Sequence, residues 1–508
     1  MTVREQASAQ PRLRSRAAPI LLIVVFAVII AGSLFTNRNF WFDEAMAYQA
    51  IANEAFLAPG QPMLLFEQTM PYGVYVIFKV LVDAVGLNET VLRIPEFLAY
   101  IVGLVALYRA SRVVPGTFGR LATMAAGGLA MWVVSESAMF KHYIFEYAAG
   151  ALILAAGYTL LASKLRTRSV VAFLVISVVS VLFSNTAPLA TGAVAISVLI
   201  IAFISDRVAL RAARWKLIVA GVVYLVCFAI VYLTVIKPAA LYQLSLPFYQ
   251  GAGLRSLATA LAGIWAPTGK PLFLLFGVAI GVVIVIGMVL SRRRGVVQWF
   301  PYLALLFTVV AMVGGTLVGL TPFSNPRHVL FATPVIGLAF GAAAQAIWVA
   351  LAPLRRRSVV LRVAAGTAAA VVGVGFLGIA VYGSVNRHEE VGRLLAAGDS
   401  VCDATYVDYS FQPAAEIYIA RDHLGIDLQG EVATVSGLGA DSWLQKVRDN
   451  MPAYQAAAVS YFESNGPGCL LTTPTPATDD LLKPLAAAGI TCTPVDKLAG
   501  VGLYRCGA

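Results

Sequence analysis

Long apolar segments alternate along this chain with short clusters of basic residues. A soluble domain carries about 25% charged residues, whereas this chain of 508 residues carries 12% and has a mean hydropathy of +0.80. Apolar runs of about 20 residues predict transmembrane helices, because that length crosses the hydrocarbon core of a bilayer. The alternation therefore predicts an α-helical polytopic membrane protein.

About eleven segments have the length and apolar character of a span. The predicted spans are 18–36, 92–111, 119–136, 143–162, 169–184, 187–204, 217–236, 271–290, 300–320, 328–350 and 363–382. Residues 71–87 are also apolar, but Lys79 and Asp83 interrupt them. We therefore predict an interfacial or re-entrant helix there rather than a span.

Basic residues recur in every second loop between these spans. The clusters are Arg4/Arg12/Arg14/Arg16, Arg109/Arg112/Arg120, Lys164/Arg166/Arg168, Arg207/Arg211/Arg214/Lys216, Arg292/Arg293/Arg294 and Arg355/Arg356/Arg357/Arg362. Loops rich in lysine and arginine face the cytoplasm, so the pattern predicts a multi-pass plasma-membrane protein with a cytoplasmic N-terminus. The net charge of +11 is thereby explained by topology, and no nucleic-acid partner is predicted.

Three parts follow from this topology. Residues 1–17 form a cytoplasmic tail, and residues 18–383 form the transmembrane domain, with 37–91 as its first extracytoplasmic loop. Residues 384–508 form an extracytoplasmic domain. We interpret the first apolar run as an uncleaved anchor, with a cleaved signal peptide as the alternative.

The last domain is predicted to be a small α/β sandwich. The segments "DSVCDATYVDY", "GCLLTT" and "ITCTPV" are typical of strands, and "PAAEIYIARDHLG" and "ATDDLLKPLAAAG" are typical of helices. Four cysteines in an oxidising compartment predict two disulfides, with three pairings open and free thiols as the alternative. They are Cys402, Cys469, Cys492 and Cys506.

Two adjacent acids, Asp43 and Glu44, lie among aromatic residues in "NRNFWFDEAMAYQA" (37–50). A carboxylate at membrane level is costly unless it has a function. Other ionisable residues also collect at the predicted exterior ends of the spans. They are Glu67, Glu96, Glu136, Lys141, His142, Glu146, Arg327 and His328. These positions predict a cavity at the outer membrane boundary that holds acids and cations together.

Acids beside cations suit the transfer of a sugar from a polyprenyl-phosphate donor. The acceptor hydroxyl needs a base, whereas the departing phosphate is a stable anion that needs only positive charge. We predict Asp43 as the base and Glu44 as the residue that orients the acceptor. The predicted phosphate ligands are Lys141, His142, Arg327 and His328. The predicted sugar or acceptor contacts are Glu136, Glu146, Trp41 and Tyr72.

Each of these residues also has a structural interpretation. Asp43 could cap a helix, Glu44 could face water, and Lys141 with His142 could anchor a helix at the interface. Glu136 or Glu146 could pair with Lys141, and the aromatic residues could form an interfacial belt. Arg93 is expected to hold the long loop in place.

Several motifs resemble those of GT-C glycosyltransferases, which include protein O-mannosyltransferases and lipid A aminoarabinose transferases. "FWFDEAMAY" resembles the Asp-Glu motif of the first exterior loop in that family. "MPYGVYVIFKVLVDAVGLNETVLRIPEFLAY", "SESAMFKHYIFEY" and "SNPRHVLFATPVIGLAF" resemble later family segments, up to about residue 340. The family's His-Pro-Pro or Lys-Pro-Pro is "TMPYG" here, so its usual phosphate-binding cation is missing. Lys141-His142-Tyr143 stands in place of its Arg-Tyr, and Arg327-His328 stands in place of a second Arg-Tyr.

The resemblance implies an inverting transferase that acts at the outer face of the plasma membrane. Its acceptor would be a cell-wall polysaccharide, a glycolipid or a protein. No cofactor is required, and a divalent cation on Asp43 and Glu44 stays open as an alternative. The Ala/Val/Arg-rich composition suggests a high-GC bacterium and an enzyme of actinobacterial type, with mannose or arabinose on a decaprenyl carrier by analogy.

Three other functions remain open from the sequence. They are a polysaccharide ligase or polymerase with a diphosphate-linked donor, a transporter or flippase for a lipid-linked sugar, and a non-catalytic scaffold. The spans lack charges near their centres and show no internal repeat, which is unlike many transporters. The sequence also contains no Walker loop, Rossmann glycine motif or zinc-type cysteine and histidine spacing.

Overall fold

A computed structural model describes most of the chain. The described residues are 39–61, 63, 69–238, 253–265, 271–293, 295–319, 323, 325–353, 391–408, 411–426, 451–472, 476–498 and 501–507, with short stretches or single positions at 25, 29, 241, 358–360, 363, 366–367 and 373–378. Several predicted features therefore lie outside the described residues, apart from these short stretches or single positions. They are the tail 1–17, the spans 18–36 and 363–382, Glu67, and Arg355 to Arg357.

The structure is mainly helical. The helices of the first part are α1 Phe42–Asn53, α2 Tyr72–Val85, α3 Glu89–Leu92, α4 Ile94–Ala110, α5 Thr117–Gly128, α6 Met131–Glu136, α7 Tyr143–Ala162, α8 Thr167–Phe183, α9 Ala187–Ser205, α10 Arg207–Val231, α11 Leu254–Ala262, α12 Pro271–Leu290, α13 Phe300–Leu317 and α14 Thr333–Ala350. Short 3-10 helices occupy Ser111–Val113, Gly263–Trp265, Ser291–Arg293, Val296–Trp299 and Pro326–Ala332, and a π-helix occupies Tyr232–Ile236.

Among the described residues, six helical segments are long and apolar enough to cross a bilayer. They are Glu89–Val113, Tyr143–Ala162, Ala187–Ser205, Arg207–Ile236, Val296–Leu317 and Pro326–Ala350. Thr167–Phe183 and Leu275–Leu290 are apolar but shorter. The chain is thus a multi-pass membrane protein, and the predicted total of eleven spans is not confirmed. The predicted interfacial segment 71–87 is helical as α2.

The predicted span 119–136 is wrong as a single helix. It is broken at Leu129 and Ala130 into α5 and α6. Glycine has a low helix propensity, and α5 ends in Gly127-Gly128. The carbonyl of Gly128, released from the helix, accepts a hydrogen bond of 2.9 Å from the Tyr100 hydroxyl. Hydropathy does not reveal this break, because the segment remains apolar throughout.

The helix predicted at 217–236 begins ten residues earlier, at Arg207. The Asp206 carboxylate caps its N-terminus by accepting a hydrogen bond of 2.9 Å from Ala209 N. Arginine and lysine are good helix formers, so the basic cluster that was predicted to be a loop forms the first turns of α10. Ala213 is the one buried residue of this helix within the described part of the chain.

The C-terminal domain contains a four-stranded sheet with helices packed against it. Its elements are α15 Val391–Val401, β1 Thr405–Val407, α16 Gln412–Asp422, α17 Met451–Asn465, β2 Gly468–Thr472, α18 Pro476–Ala487, β3 Thr491–Leu498 and β4 Val501–Gly507. The strand order is β1-β2-β4-β3, with β1 parallel to β2 and β4 antiparallel to both of its neighbours. Helix α17 and strand β4 were not predicted. The predicted strand at 399–409 is shorter, because α15 continues to Val401.

Two disulfides hold this domain together, which confirms the expected number and resolves the pairing. Cys402 is bonded to Cys469, which joins the end of α15 to β2. Cys492 is bonded to Cys506, its partner across the β3–β4 pair. Cys227, in α10, is a free cysteine.

The C-terminal domain packs directly on α1. The Gln49 amide donates hydrogen bonds of 2.9 Å to the Pro413 carbonyl and to the Glu416 carboxylate. The backbone N–H of Phe40 donates to the Tyr418 hydroxyl, and an apolar cluster is shared by α1, α2, α15 and α16. Helix α1 is therefore held between the helical bundle and the C-terminal domain.

Candidate functional site

Asp43 and Glu44 lie in the first turn of α1. Successive helical residues point about 100° apart, so the two carboxylates face different surroundings. The Asp43 side chain is 17% exposed, whereas that of Glu44 is 1% exposed. Trp41 occupies the N-cap position of α1, so the alternative role of Asp43 as the helix cap is wrong.

Glu44 is fully engaged by protein donors. Arg93 binds it in a bidentate manner, through Nε at 2.8 Å and Nη2 at 3.0 Å. The backbone N–H groups of Phe140 and Trp41 donate at 2.7 Å and 3.1 Å. The sequence predicted that Glu44 orients an acceptor or faces water. The structure corrects this expectation, because a buried arginine requires a carboxylate partner and Glu44 supplies it. As predicted, Arg93 holds the start of α1 in place.

Asp43 forms an ion pair with Arg327, whose Nη1 donates to Oδ2 of the carboxylate. The Arg327 side chain is 21% exposed, and its guanidinium carbon lies 4.9 Å from the centre of the Tyr143 ring. Within the described part of the chain, the buried Nε of Arg327 has no hydrogen-bond acceptor. Arg327 thus offers a spare donor beside a partly exposed carboxylate.

A short 3-10 helix, Pro326–Ala332, places Arg327 at this site. The Asn325 side chain caps it by accepting a hydrogen bond of 3.2 Å from Arg327 N, and proline is favoured at the first helical position. The segment "SNPRH" therefore contains both the N-cap and the first residue that favour the start of this 3-10 helix. His328 follows on the same turn, with its ring 5.7 Å from that of Tyr143.

Lys141 and His142 lie between α6 and α7, beside the same pair. Lys141 is 5% exposed, and its ammonium interacts electrostatically with Asp43, Arg327 and Glu136. Burial lowers the pKa of Lys141, and the nearby Asp43 carboxylate opposes that change. Burial also lowers the pKa of His142 well below its usual range, with Lys141 adding to the effect. His142 is therefore a neutral side chain here and not a cation.

The two remaining predicted acids have different positions. Glu136 ends α6, is fully buried, and interacts electrostatically with Lys141 and Arg327, so it belongs to the cluster around Asp43.

Glu146 instead binds the turn between α8 and α9. Its carboxylate accepts hydrogen bonds from the hydroxyls of Ser184 and Thr186 and from Asn185 N at 3.0 Å. This corrects both earlier expectations for Glu146, a sugar contact and a pair with Lys141.

Aromatic residues complete the surroundings. Trp41, two residues before Asp43 in the chain, is 38% exposed. The Tyr72 hydroxyl donates to the Leu57 carbonyl at 3.4 Å, and its ring lies 6.1 Å from that of Tyr75, so its contacts belong to the long loop and α2. Tyr143 was not predicted as a site residue, although it follows Lys141-His142 in "KHY" and lies 4.2 Å from the His142 ring.

The donor set does not fit a metal shared by Asp43 and Glu44. Both Glu44 oxygens already bind positive or N–H donors, and Asp43 faces a guanidinium. In the described residues, no group of three or more His, Cys, Asp or Glu side chains is placed to hold a metal ion.

Comparison with known proteins concerns the fold. The chain matches no family model and no curated protein by sequence. Its structure is similar to ArnT from Cupriavidus metallidurans in the apo state, with a TM-score of 0.50 and 13% sequence identity over 96% of this chain and 98% of that chain.

Two further structures have lower TM-scores. ArnT bound to undecaprenyl phosphate gives 0.48 at 12% identity, over 96% of this chain and 98% of that one. The Archaeoglobus fulgidus oligosaccharyltransferase AglB, in complex with an inhibitory peptide and a dolichol-phosphate, gives 0.48 at 14% identity, over 97% of this chain and 74% of that one. The fold assignment rests on the apo structure of ArnT. The chain therefore has a GT-C-like fold, a helical membrane bundle with a small C-terminal sheet domain.

Proposed function

We propose that this protein is an inverting glycosyltransferase. It would move a sugar, a hexose or a pentose, from a polyprenyl-phosphate donor to a cell-envelope acceptor at the outer face of the plasma membrane. One observation carries this proposal: the partly exposed Asp43 carboxylate forms an ion pair with Arg327 and interacts electrostatically with Lys141, and both cations come from distant parts of the chain. A base beside two cations is the minimum set for this chemistry.

The proposed reaction is a single displacement. Asp43 takes the proton of an acceptor hydroxyl, and the hydroxyl oxygen forms a bond to the anomeric carbon. The bond between that carbon and the phosphate oxygen breaks, and its electron pair leaves with the phosphate. Arg327 and Lys141 stabilise the released anion, and attack from the face opposite the phosphate inverts the anomeric centre.

Arg327 would change partners when the donor binds. Without donor it pairs with Asp43. The carboxylate is then ionised, but the guanidinium blocks its access to an acceptor hydroxyl. A phosphate would recruit the guanidinium, which binds phosphate in a bidentate geometry and has an unused Nε donor. Asp43 would then be available to the acceptor hydroxyl, so donor binding would precede activation of the base.

The proposed orientation in the membrane follows the distribution of basic loops. The N-terminus is cytoplasmic and the C-terminal domain extracytoplasmic, as the basic loops predict. That domain contacts α1, and we propose that it holds or covers the acceptor. We propose His328 and Glu136 as further contacts to donor phosphate and sugar, with neutral His142 as a hydrogen-bonding group and Trp41 at the rim. The acceptor would be a wall polysaccharide, a glycolipid or a protein.

The test is a transfer assay with purified full-length protein. Radiolabelled polyprenyl-phosphate sugars are supplied singly with a membrane extract, and labelled acceptor is measured beside donor binding. Asp43→Asn is expected to abolish transfer and to keep donor binding, whereas the exposed-site control Asp83→Asn retains both. Unchanged transfer by Asp43→Asn would overturn the proposal. Donor translocation without labelled acceptor would indicate a transporter instead.

A further inference from the structure

A groove of about 450 Å³ opens on the surface of the bundle between α4, α7 and α8. Most of its lining is apolar, with small residues at its floor, including Ala106, Ala155 and Ala156, and larger residues such as Val105, Leu152 and Ile176 beside them. This volume lies within the range of ligand pockets, about 300–1,000 Å³. The groove is independent of the site around Asp43.

The polar residues of the groove gather at one end. They are Arg109, Thr159 and Ser169. Helices α4 and α7 both start at the Asp43 site and run in the same direction, with the Tyr100 and Tyr147 rings 6.2 Å apart near their starts, and α8 returns. Arg109 lies sixteen residues beyond Arg93 along a helix, which corresponds to roughly 24 Å. The polar end is therefore remote from Asp43.

The groove thus combines an apolar trough with a basic end. Arg109 is exposed, and the structure records no ion pair for it within the described residues. Other exposed arginines flank that end, namely Arg112, Arg166 and Arg168. An arginine binds phosphate oxygens in a bidentate geometry, and basic pockets between membrane helices suit anionic lipid headgroups.

We propose that this groove binds an anionic diacyl glycerophospholipid. One acyl chain lies in the trough, and the phosphodiester contacts Arg109 and the Ser169 hydroxyl. A zwitterionic lipid would fill the trough equally well but would gain less from the arginines. A polyprenyl-phosphate donor is not the proposed occupant. Its phosphate, bound at Arg109, would lie about 24 Å from the site around Asp43, too far to take part in the transfer.

The test uses the full-length protein in detergent with dioleoyl-phosphatidylglycerol and dioleoyl-phosphatidylcholine as probes. Native mass spectrometry measures the fraction of protein that carries each lipid. We expect a preference for phosphatidylglycerol in the unmodified protein. Arg109→Gln is expected to reduce phosphatidylglycerol binding about fivefold, the effect of one basic side chain near a membrane surface. Arg292→Gln changes an exposed arginine that follows α12, a helix that does not line the groove. It is the matched control and retains the preference.

A second pair of variants tests the trough. Ala172→Phe fills it from an exposed position on α8, whereas Val171→Phe adds the same ring beside it, outside the lining. Only Ala172→Phe is expected to reduce binding of both lipids. Equal binding of both lipids by the unmodified protein would overturn the proposal. So would unchanged binding in Arg109→Gln, or displacement of phosphatidylglycerol by equimolar undecaprenyl phosphate.

Discussion

Arg327 Nη1 donates to Asp43 Oδ2 across 284 positions of sequence. The pair joins the first turn of α1 to the 3-10 helix that precedes α14. Both side chains keep some exposure, 17% for Asp43 and 21% for Arg327, in contrast to the neighbouring Glu44–Arg93 pair, in which each side chain is 1% exposed. Two adjacent carboxylates thus have different roles: one is accessible and the other holds the structure together.

Substitution of Arg327 is expected to weaken donor binding. Arg327→Gln removes the charge that faces the phosphate, which costs at least ~2 kcal/mol, or about 30-fold in Kd. Arg327→Lys keeps the charge but loses the bidentate geometry and the stacking on Tyr143, so a smaller loss is expected. Donor titration by fluorescence or calorimetry measures both. The control is Arg393→Gln, which removes an exposed pair with Asp496 and should leave Kd unchanged; equal losses at the two positions would contradict the assignment.

Glu44→Gln is expected to destabilise the fold. The substitution leaves the buried Arg93 guanidinium without its charged partner, and breaking a buried pair from one side costs about 3–5 kcal/mol. The midpoint of thermal unfolding in detergent measures the change. Glu44→Gln combined with Arg93→Met should recover part of the loss, because no buried charge remains unpaired. A variant that unfolds like the unmodified protein but has lost transfer would instead indicate a direct catalytic role.

Donor affinity is expected to decline with rising pH through Lys141. Burial lowers the pKa of Lys141 from its ordinary value of 10.5, so the ammonium loses its proton at a lower pH than an exposed lysine does. The neutral amine attracts phosphate less, and Kd therefore rises on the alkaline side. Lys141→Arg should remove this decline, since arginine stays charged up to pH values above 12. Kd measured from pH 7 to 10 provides the comparison, with the exposed Lys164→Arg as control; the same decline in Lys141→Arg would show that another group titrates.

Gly341→Ala is expected to disrupt the contact between α14 and α5. A Cβ at this position would lie 1.9 Å from Thr123 Oγ1 and 2.3 Å from the Gly119 carbonyl oxygen, and helices approach this closely only through small residues. Overpacking of this kind costs about 1–3 kcal/mol. Thermal unfolding of Gly341→Ala is compared with that of Gly281→Ala, where a Cβ meets nothing within 4 Å. Similar midpoints for the two variants would show that the helices can separate at little cost.

Several elements were predictable because they depend on local composition. The helices Tyr143–Ala162 and Pro271–Leu290 have the predicted bounds, and the membrane class with a C-terminal α/β domain is confirmed. The break at Leu129 and Ala130 was not predictable from hydropathy. It depends on Tyr100, a side chain from another helix, whose hydroxyl donates a hydrogen bond to the released Gly128 carbonyl. Strand β4 contains two glycines, which have a low strand propensity. It is stabilised by pairing with a strand on each side, and local sequence cannot predict that pairing.

The sequence by itself determined that the chain enters a membrane. Its apolar segments are too long and too numerous for a water-soluble fold to bury all of them. It also identified Asp43, Lys141 and Arg327 as polar residues at helix ends, and these lie together in the structure. Only the tertiary structure decided that Glu44 binds Arg93 and that Glu146 binds the turn at 184–186. The physical reason is that the state of a carboxylate depends on which donors surround it, and here those donors come from segments far away in the chain.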